Sequence, residues 1–337
     1  MRRAALVLVL LLLIGGSVAG AGDPPQPLPP WDPPDPATLP DDSVGRTIRY
    51  GHDLIANTAA LIGPDAADPA RRYAGNGLDC QSCHLDAGTR RFGLPLAGVW
   101  HVFPTFIARE NEVRTLAQRI DGCMERSLNG RALPPDGREM TAMLAYVRFI
   151  SGTAPAGAAP IGRGVPPLPL PGHAADPVRG AALYQEHCAQ CHQQNGQGLR
   201  LSAADAADSR RRYQFPPLWG PDSYNDGAGM ARPVTAARFI RANMPFGTDF
   251  ANPVVEIADA FDIAVFIDQQ PRPHLAGSEK DYPNRALKPP DATYPPFVGP
   301  FPPEQHRVGP WGPIAQWQAT HTASLRATVA GGEAPSP

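Results

Sequence analysis

Apolar residues recur with a helical period in six stretches of the chain, and long polar or proline-rich runs separate them. The first helix is expected from Ser43, a good N-cap, to about Ala60, with Val44, Ile48, Leu54 and Ile55 as its apolar positions. A second is expected from Pro104 to Gly122, where Ile107, Val113, Leu116, Ala117 and Ile120 repeat and Pro104 suits a first turn. A third runs from Asp136 to Ile150, with Met140, Met143, Leu144 and Val147 on one face, and Ser151-Gly152 closes it. In the second half, a helix carrying Gly180 and Tyr184 leads into Cys188. A short helix covers Thr235 to Asn243, and a last one covers Val254 to Gln269 and stops before Pro271.

The segments between them show the organisation. Thr153 to Pro171 is rich in Ala, Gly and Pro and marks a boundary, after which the plan of the first half repeats. Expected segments are a leader (1–21), a Pro-rich spacer (22–42), a first domain (43–152), a linker (153–175), a second domain (176–272) and a Pro-rich extension (273–337) draped over the surface. The leader has Arg2 and Arg3, an apolar run from Ala4 to Ile14, and small residues at Ala19-Gly20-Ala21. The run is shorter than the ~20 residues that span a bilayer, so a cleaved export signal is expected, with a retained anchor as the alternative. The working chain is placed in the periplasm, with no transmembrane segment after cleavage.

Composition narrows the function. A net charge of −2 over 337 residues argues against a nucleic-acid partner. The cysteine pattern is more telling. Four of five cysteines fall in two Cys-x-x-Cys-His motifs, Cys80/Cys83/His84 and Cys188/Cys191/His192. Such a motif attaches haem c: the thiols form thioethers, and the histidine is an axial iron ligand. Zinc would need four ligands at compatible spacing, and a thioredoxin-like site would need a βαβ pattern. Two motifs in matching positions of an exported chain point to two covalently bound haems c. The fold class expected is mainly α, two class I cytochrome c-like domains whose haems supplement small cores.

The sixth ligands are less determined. For the second haem, Met244 is preferred over Met230 and His274, because it precedes Pro245 just before the closing helix. For the first, Met124, Met140, Met143, His101 and Cys123 are all candidates. Cys123 is the cysteine left over, and thiolate is a strongly donating ligand suited to a site that handles sulfur.

The stretch from Arg109 to Pro134, RENEVRTLAQRIDGCMERSLNGRALP, resembles the corresponding segment of dihaem thiosulfate dehydrogenases of the TsdA type. So does ARFIRANMPFG around Met244, and the resemblance spans roughly Gly45 to Pro273. It implies an enzyme that joins two thiosulfates into tetrathionate, or runs the reverse. It also implies a first haem ligated by His84 and Cys123 as the active site, a pocket lined by Arg109, Arg119 and Ser127, and a second haem ligated by His192 and Met244. Electrons would leave to a small cytochrome c or another high-potential carrier. Some relatives have lysine just before that methionine, whereas here the residue is Asn243. A SoxA-like cytochrome that conjugates thiosulfate to a carrier protein, or a non-catalytic dihaem electron-transfer subunit, are the alternatives.

The pocket has a physical rationale. Fixed guanidinium groups offset the repulsion between two dianions. On a helix continuing past Gly122, Arg119, Cys123 and Ser127 share one face, and Arg109 lies about 80° around the axis. Arg114, Arg126 and Arg131 carry no assignment, and Asn129-Gly130 reads as a turn.

Overall fold

The computed structural model describes residues 32–152, 162–202 and 210–330. The expected leader, most of the spacer and the first part of the linker lie outside them. Two helical halves emerge, each framed by a crossed pair of helices.

In the first half, helix Ser43–Ala56 crosses helix Arg138–Ser151. The first begins one residue earlier than its pattern suggests, because Asp42 is the cap: its carboxylate accepts from Gly45 N at 2.7 Å. It ends at Asn57, which leaves helical geometry before the short turn Thr58–Ile62. At the crossing, a Cβ on Gly51 would collide with the carbonyl of Ala142, so only glycine permits this backbone approach. In the second half, helix Pro177–His187 crosses helix Ile257–Asp268, and Gly180 plays the same part against the carbonyl of Asp262. Helix Pro233–Asn243 packs beside that pair.

The region before Cys123 departs from expectation. Instead of one helix from Pro104 to Gly122, Thr105–Ile107 and Glu112–Arg114 form an antiparallel hairpin, with Phe106 opposite Val113. Its turn is residues 108–111, and Asn111 adopts φ +58°, a left-handed conformation that asparagine tolerates. The helix starts later, at Leu116, because Thr115 and Gln118 close a capping box: Thr115 Oγ1 accepts from Gln118 N at 3.3 Å, and Gln118 Oε1 accepts from Thr115 N at 2.8 Å. Phe106 and Val113 are 51% and 64% exposed, so these apolar residues mark no core-facing stripe. Gly122 does not interrupt the helix, which continues to Arg126. Asn129, at φ +49°, turns the chain out of it, and Gly130 N caps the Met124 carbonyl at 2.9 Å.

Each half has its own apolar core. The first gathers Leu54, Ile55, Met124, Met140, Met143 and Tyr146, and it also takes in Tyr224, Ala228 and Ala231 from the second half. The second gathers Tyr184, Ile240, Phe261, Ile263 and Val265. It is completed by the extension, which is no surface drape: Val298, Val308, Trp311 and Ile314 enter this core. They come from the end of the proline-rich run, from helices Pro303–Val308 and Gly312–Ala330 and, for Trp311, from the link between those helices. Prolines spend no N–H on a partner, so such a run can follow a core edge with its spaced apolar residues inward. Burying a tryptophan removes about 200 Å² from water, on the order of 5 kcal/mol before ordering entropy is counted.

The halves are joined by buried amides. Asn76 donates to the carbonyls of Ser127 and Ser223, both at 3.0 Å, and Asn225 donates to Glu125 O at 2.9 Å. Both asparagines are fully buried. They tie the end of the Cys123 helix to the second half. A second short hairpin pairs Leu199–Arg200 with Tyr213–Phe215. Among the described residues, no helix is long and apolar enough to cross a membrane.

Candidate functional site

Cys80–Ser82 forms a single tight turn that delivers Cys83 and His84. The imidazole Nδ1 of His84 is bonded to the carbonyl of Leu94 at 2.6 Å. That contact fixes the tautomer, with the proton on Nδ1 and a lone pair on Nε2. The carbonyl is presented by a strained loop, in which Phe92 and Leu94 adopt φ +58° and +53°.

The side chain of His84 meets Cys123, one turn along its helix from Arg119. Arg119 Nη1 donates to Cys123 Sγ at 2.9 Å. Burial pushes the Cys123 thiol up, but Arg119, His84 and Arg109 outweigh it and bring the group down to about 6. Cys80 and Cys83, buried without such neighbours, are pushed up to about 12. At neutral pH, Cys123 is therefore held as thiolate, whereas Cys80 and Cys83 are titratable thiols only until haem attachment.

Arg109 reaches this region from the hairpin turn, not from the helix. Its Nε donates to the Tyr282 hydroxyl at 3.4 Å, and its carbonyl accepts from Tyr282 N at 2.7 Å. Burial works against its charge, yet the hydrogen bond to Tyr282 and the more distant Asp281 carboxylate favour the cation, so it stays charged. Ser127 follows the helix as its C-cap, one turn beyond Cys123, with its N–H on the Cys123 carbonyl at 2.9 Å. Arg119, Cys123 and Ser127 thus share one face.

The unassigned arginines are engaged elsewhere. Arg114 pairs with Glu112 at 2.5 Å, Arg126 grips Asp281 through two bonds of 2.7 and 2.8 Å, and Arg131 stacks 4.3 Å over Tyr73. Arg109 and Arg119 form no ion pair among the described residues. Met124, Met140 and Met143 are buried in the first core, and His101 lies on the turn Val99–Val102. Tyr282, Asp281 and Tyr294 were not anticipated. They stand in the proline-rich extension, where no periodicity marks them.

The second site repeats the histidine geometry. His192 Nδ1 bonds the Pro216 carbonyl at 2.7 Å, and burial lowers its pKa, so Nε2 again carries a lone pair and no proton. Cys188, Cys191, His192 and Met244 border one cavity of about 240 Å³, which extends to Cys83 of the first half. Met244 follows directly on helix Pro233–Asn243 and packs on the second core. Met230 also borders the cavity but packs on the first core, and His274 is an exposed partner of Asp226 at 2.6 Å. Asn243 is spent on structure: its amide donates to the carbonyls of Phe92 and Phe239 at 3.0 and 3.2 Å.

Paired cysteines beside a histidine with free Nε2, found once in each helical half, suit covalent haem attachment, and they define a dihaem c-type cytochrome. Known proteins carry this further. Residues 71–155 match the SoxA/TsdA cytochrome c domain, and residues 175–259 match cytochrome c oxidase, cbb3-type, subunit III. The thiosulfate dehydrogenase of Allochromatium vinosum is 41% identical over 266 residues, covering 78% of this chain and 91% of that protein. That of Thiomonas intermedia is 35% identical, covering 72% of this chain and 71% of its own. The solved thiosulfate dehydrogenase (TsdBA) of Marichromatium purpuratum is 35% identical with a TM-score of 0.65, covering 74% of this chain and 51% of that one. This chain spans about half the length of that structure. The chain belongs to the thiosulfate dehydrogenase family of oxidoreductases and carries two covalently bound haems c.

Proposed function

We propose that this chain is a periplasmic enzyme that oxidises two thiosulfates to tetrathionate at the Cys123 site. Residues 43–152 form the catalytic domain, and residues 176–272 pass electrons to a small cytochrome c or another high-potential carrier. The iron ligands are His84 and Cys123 in the first domain, and His192 and Met244 in the second. The observation that carries this reading is the Cys123 sulfur held by Arg119 at 2.9 Å, with two arginines in the site that form no ion pair with a carboxylate among the described residues.

Joining two dianions is the physical difficulty. At an effective dielectric of about 20, each pair of unit charges 4 Å apart costs about 4 kcal/mol. Arg109 and Arg119 supply fixed positive charge that offsets this repulsion, and Ser127 adds a hydroxyl on the same helix face. When bound, the haems supply a one-electron acceptor beside the sulfur and a relay beyond it.

Cys123 would serve in turn as a haem ligand and as the nucleophile, offering its free thiolate to substrate when it reacts. Its thiolate joins the sulfane sulfur of the first thiosulfate, with release of two electrons, to give a Cys123 S-thiosulfonate. The second thiosulfate attacks that sulfane sulfur. Tetrathionate leaves, and the Cys123 thiolate is restored. Three negative charges enter the second step, two leave on tetrathionate and one stays on Cys123. The reverse reaction consumes the same two electrons.

The test is holoprotein with thiosulfate and ferricyanide, with no carrier protein added. Ferricyanide reduction matched by tetrathionate, two electrons per product, is the expected outcome. Absence of reduction overturns the reading in favour of carrier-dependent conjugation or simple electron transfer.

A further inference from the structure

The C-terminal extension supplies a wall of the catalytic site: we infer that Tyr282 is the positioning residue for Arg109, and that Asp281 and Tyr294 hold it in place. This inference rests on the reading of Arg109 as a substrate-binding cation.

Arg109 needs an external support. It stands on the four-residue turn of a two-stranded hairpin, an element of marginal stability alone. Among the described residues, its guanidinium makes one hydrogen bond, to the Tyr282 hydroxyl at 3.4 Å, with its carbon 5.8 Å from the ring centroid. The backbone of the same residue pins the turn, since Tyr282 N donates to Arg109 O at 2.7 Å. One residue of the extension thus fixes both ends of Arg109.

Tyr282 is fixed in turn. It is 6% exposed and adopts φ +55°, a conformation that a bulky side chain keeps only where its surroundings demand it. Its neighbour Asp281 grips Arg126 through both carboxylate oxygens, accepts from the Tyr294 hydroxyl at 2.6 Å, and offers its carbonyl to Arg285 Nη1 at 2.6 Å. Arg126 lies one turn from Cys123, so the extension is anchored on the helix that carries the reacting sulfur.

The division of charge is the main argument. The Asp281 carboxylate is paired with Arg126 and forms no ion pair with Arg109. What this segment offers Arg109 is a phenol, which accepts a hydrogen bond and brings no formal negative charge. Arg109 is therefore oriented without being neutralised, and its charge stays available to an anion. A carboxylate at position 282 would orient the guanidinium equally well and quench it.

The experiment compares wild type, Tyr282→Phe, Arg109→Gln and the double variant as holoproteins in the thiosulfate–ferricyanide assay, with thermal unfolding and haem spectra alongside. Loss of one hydrogen bond to a charged group predicts a KM for thiosulfate raised about three- to tenfold in Tyr282→Phe, with kcat within about twofold. In the Arg109→Gln background, Tyr282→Phe should have no further effect. An unchanged KM, or an equal effect in both backgrounds, overturns the inference while leaving the proposed function intact. A wild-type protein that does not oxidise thiosulfate overturns both.

Discussion

The two haem-attachment sites are built alike on one side and unlike on the other. In each, a backbone carbonyl, of Leu94 or Pro216, holds the histidine Nδ1 and leaves Nε2 free. The proposed ligands opposite differ. Cys123 is partly exposed, beside a hydrogen-bonded arginine and under the field of another. Met244 is a neutral side chain packed against an apolar core and preceded by a buried, fully engaged asparagine. A neutral, packed thioether favours a site that only accepts and passes electrons, because it offers no nucleophile to a reactant. Uncompensated positive charge beside a thiolate favours a site that recruits anions to a nucleophile. On the proposed reading, the same histidine frame serves two tasks, and the difference lies in a few side chains.

That contrast can be broken by mutation. The largest effect is expected from Cys123→Gly or Cys123→Met: turnover is lost while both haems remain attached, checked by the thiosulfate–ferricyanide assay and the haem-to-protein ratio. Substantial retained activity would refute the role given to this sulfur. Arg119→Gln removes a hydrogen bond to a charged group and should lower kcat/KM by about 10- to 100-fold, with Arg119→Lys recovering only part of it. Met244→Leu acts on the other site: the second haem's redox midpoint shifts, and kcat falls while KM for thiosulfate stays unchanged.

Two further tests address the glycine crossings that the halves share and the His274–Asp226 ion pair, which belongs to the second half alone. Gly51→Ala and Gly180→Ala each force a methyl into a facing carbonyl, Ala142 in one half and Asp262 in the other. Each should destabilise by about 1–3 kcal/mol in thermal unfolding, and equal costs would confirm one device used twice. The smallest effect concerns His274, whose pKa is raised by its hydrogen bond and charge pairing with Asp226. Folding then favours the protonated form. The contribution is fully present below the ordinary histidine value of about 6.5 and fades as pH rises through the higher folded value. His274 is exposed, so the term is small. The stability advantage of wild type over His274→Gln should be present near pH 5.5 and absent near pH 9, and a pH-independent difference would contradict it.

Much of this molecule was legible in the sequence for identifiable reasons. The paired cysteines and their histidines are contiguous, so chain order alone displays them. Arg119, Cys123 and Ser127 stand four apart, a spacing that one helix converts directly into a face. Arg109 was placed on that helix, because Ile107 and Val113 mimic its period. The correct boundary was nonetheless written in Thr115 and Gln118, a capping-box pair that outweighs a half-buried Ile107 and an exposed Val113. Tyr282 lay beyond reach, since its contact with Arg109 spans 173 positions and follows no local rule. The Pro-rich extension was read as peripheral from composition, whereas Val298, Trp311 and Ile314 are placed by tertiary contact with a core already formed.

The late position of those core residues has a consequence for biosynthesis. Chains emerge from the amino end, and early segments start to fold before the rest arrives. Trp311, wholly buried against Phe261 with ring centroids 5.5 Å apart, is among the last residues to arrive. Until then, one flank of the second domain stays open. The tail is therefore part of that domain's core, and a prematurely terminated chain is left with an unfinished core for cellular proteases to recognise.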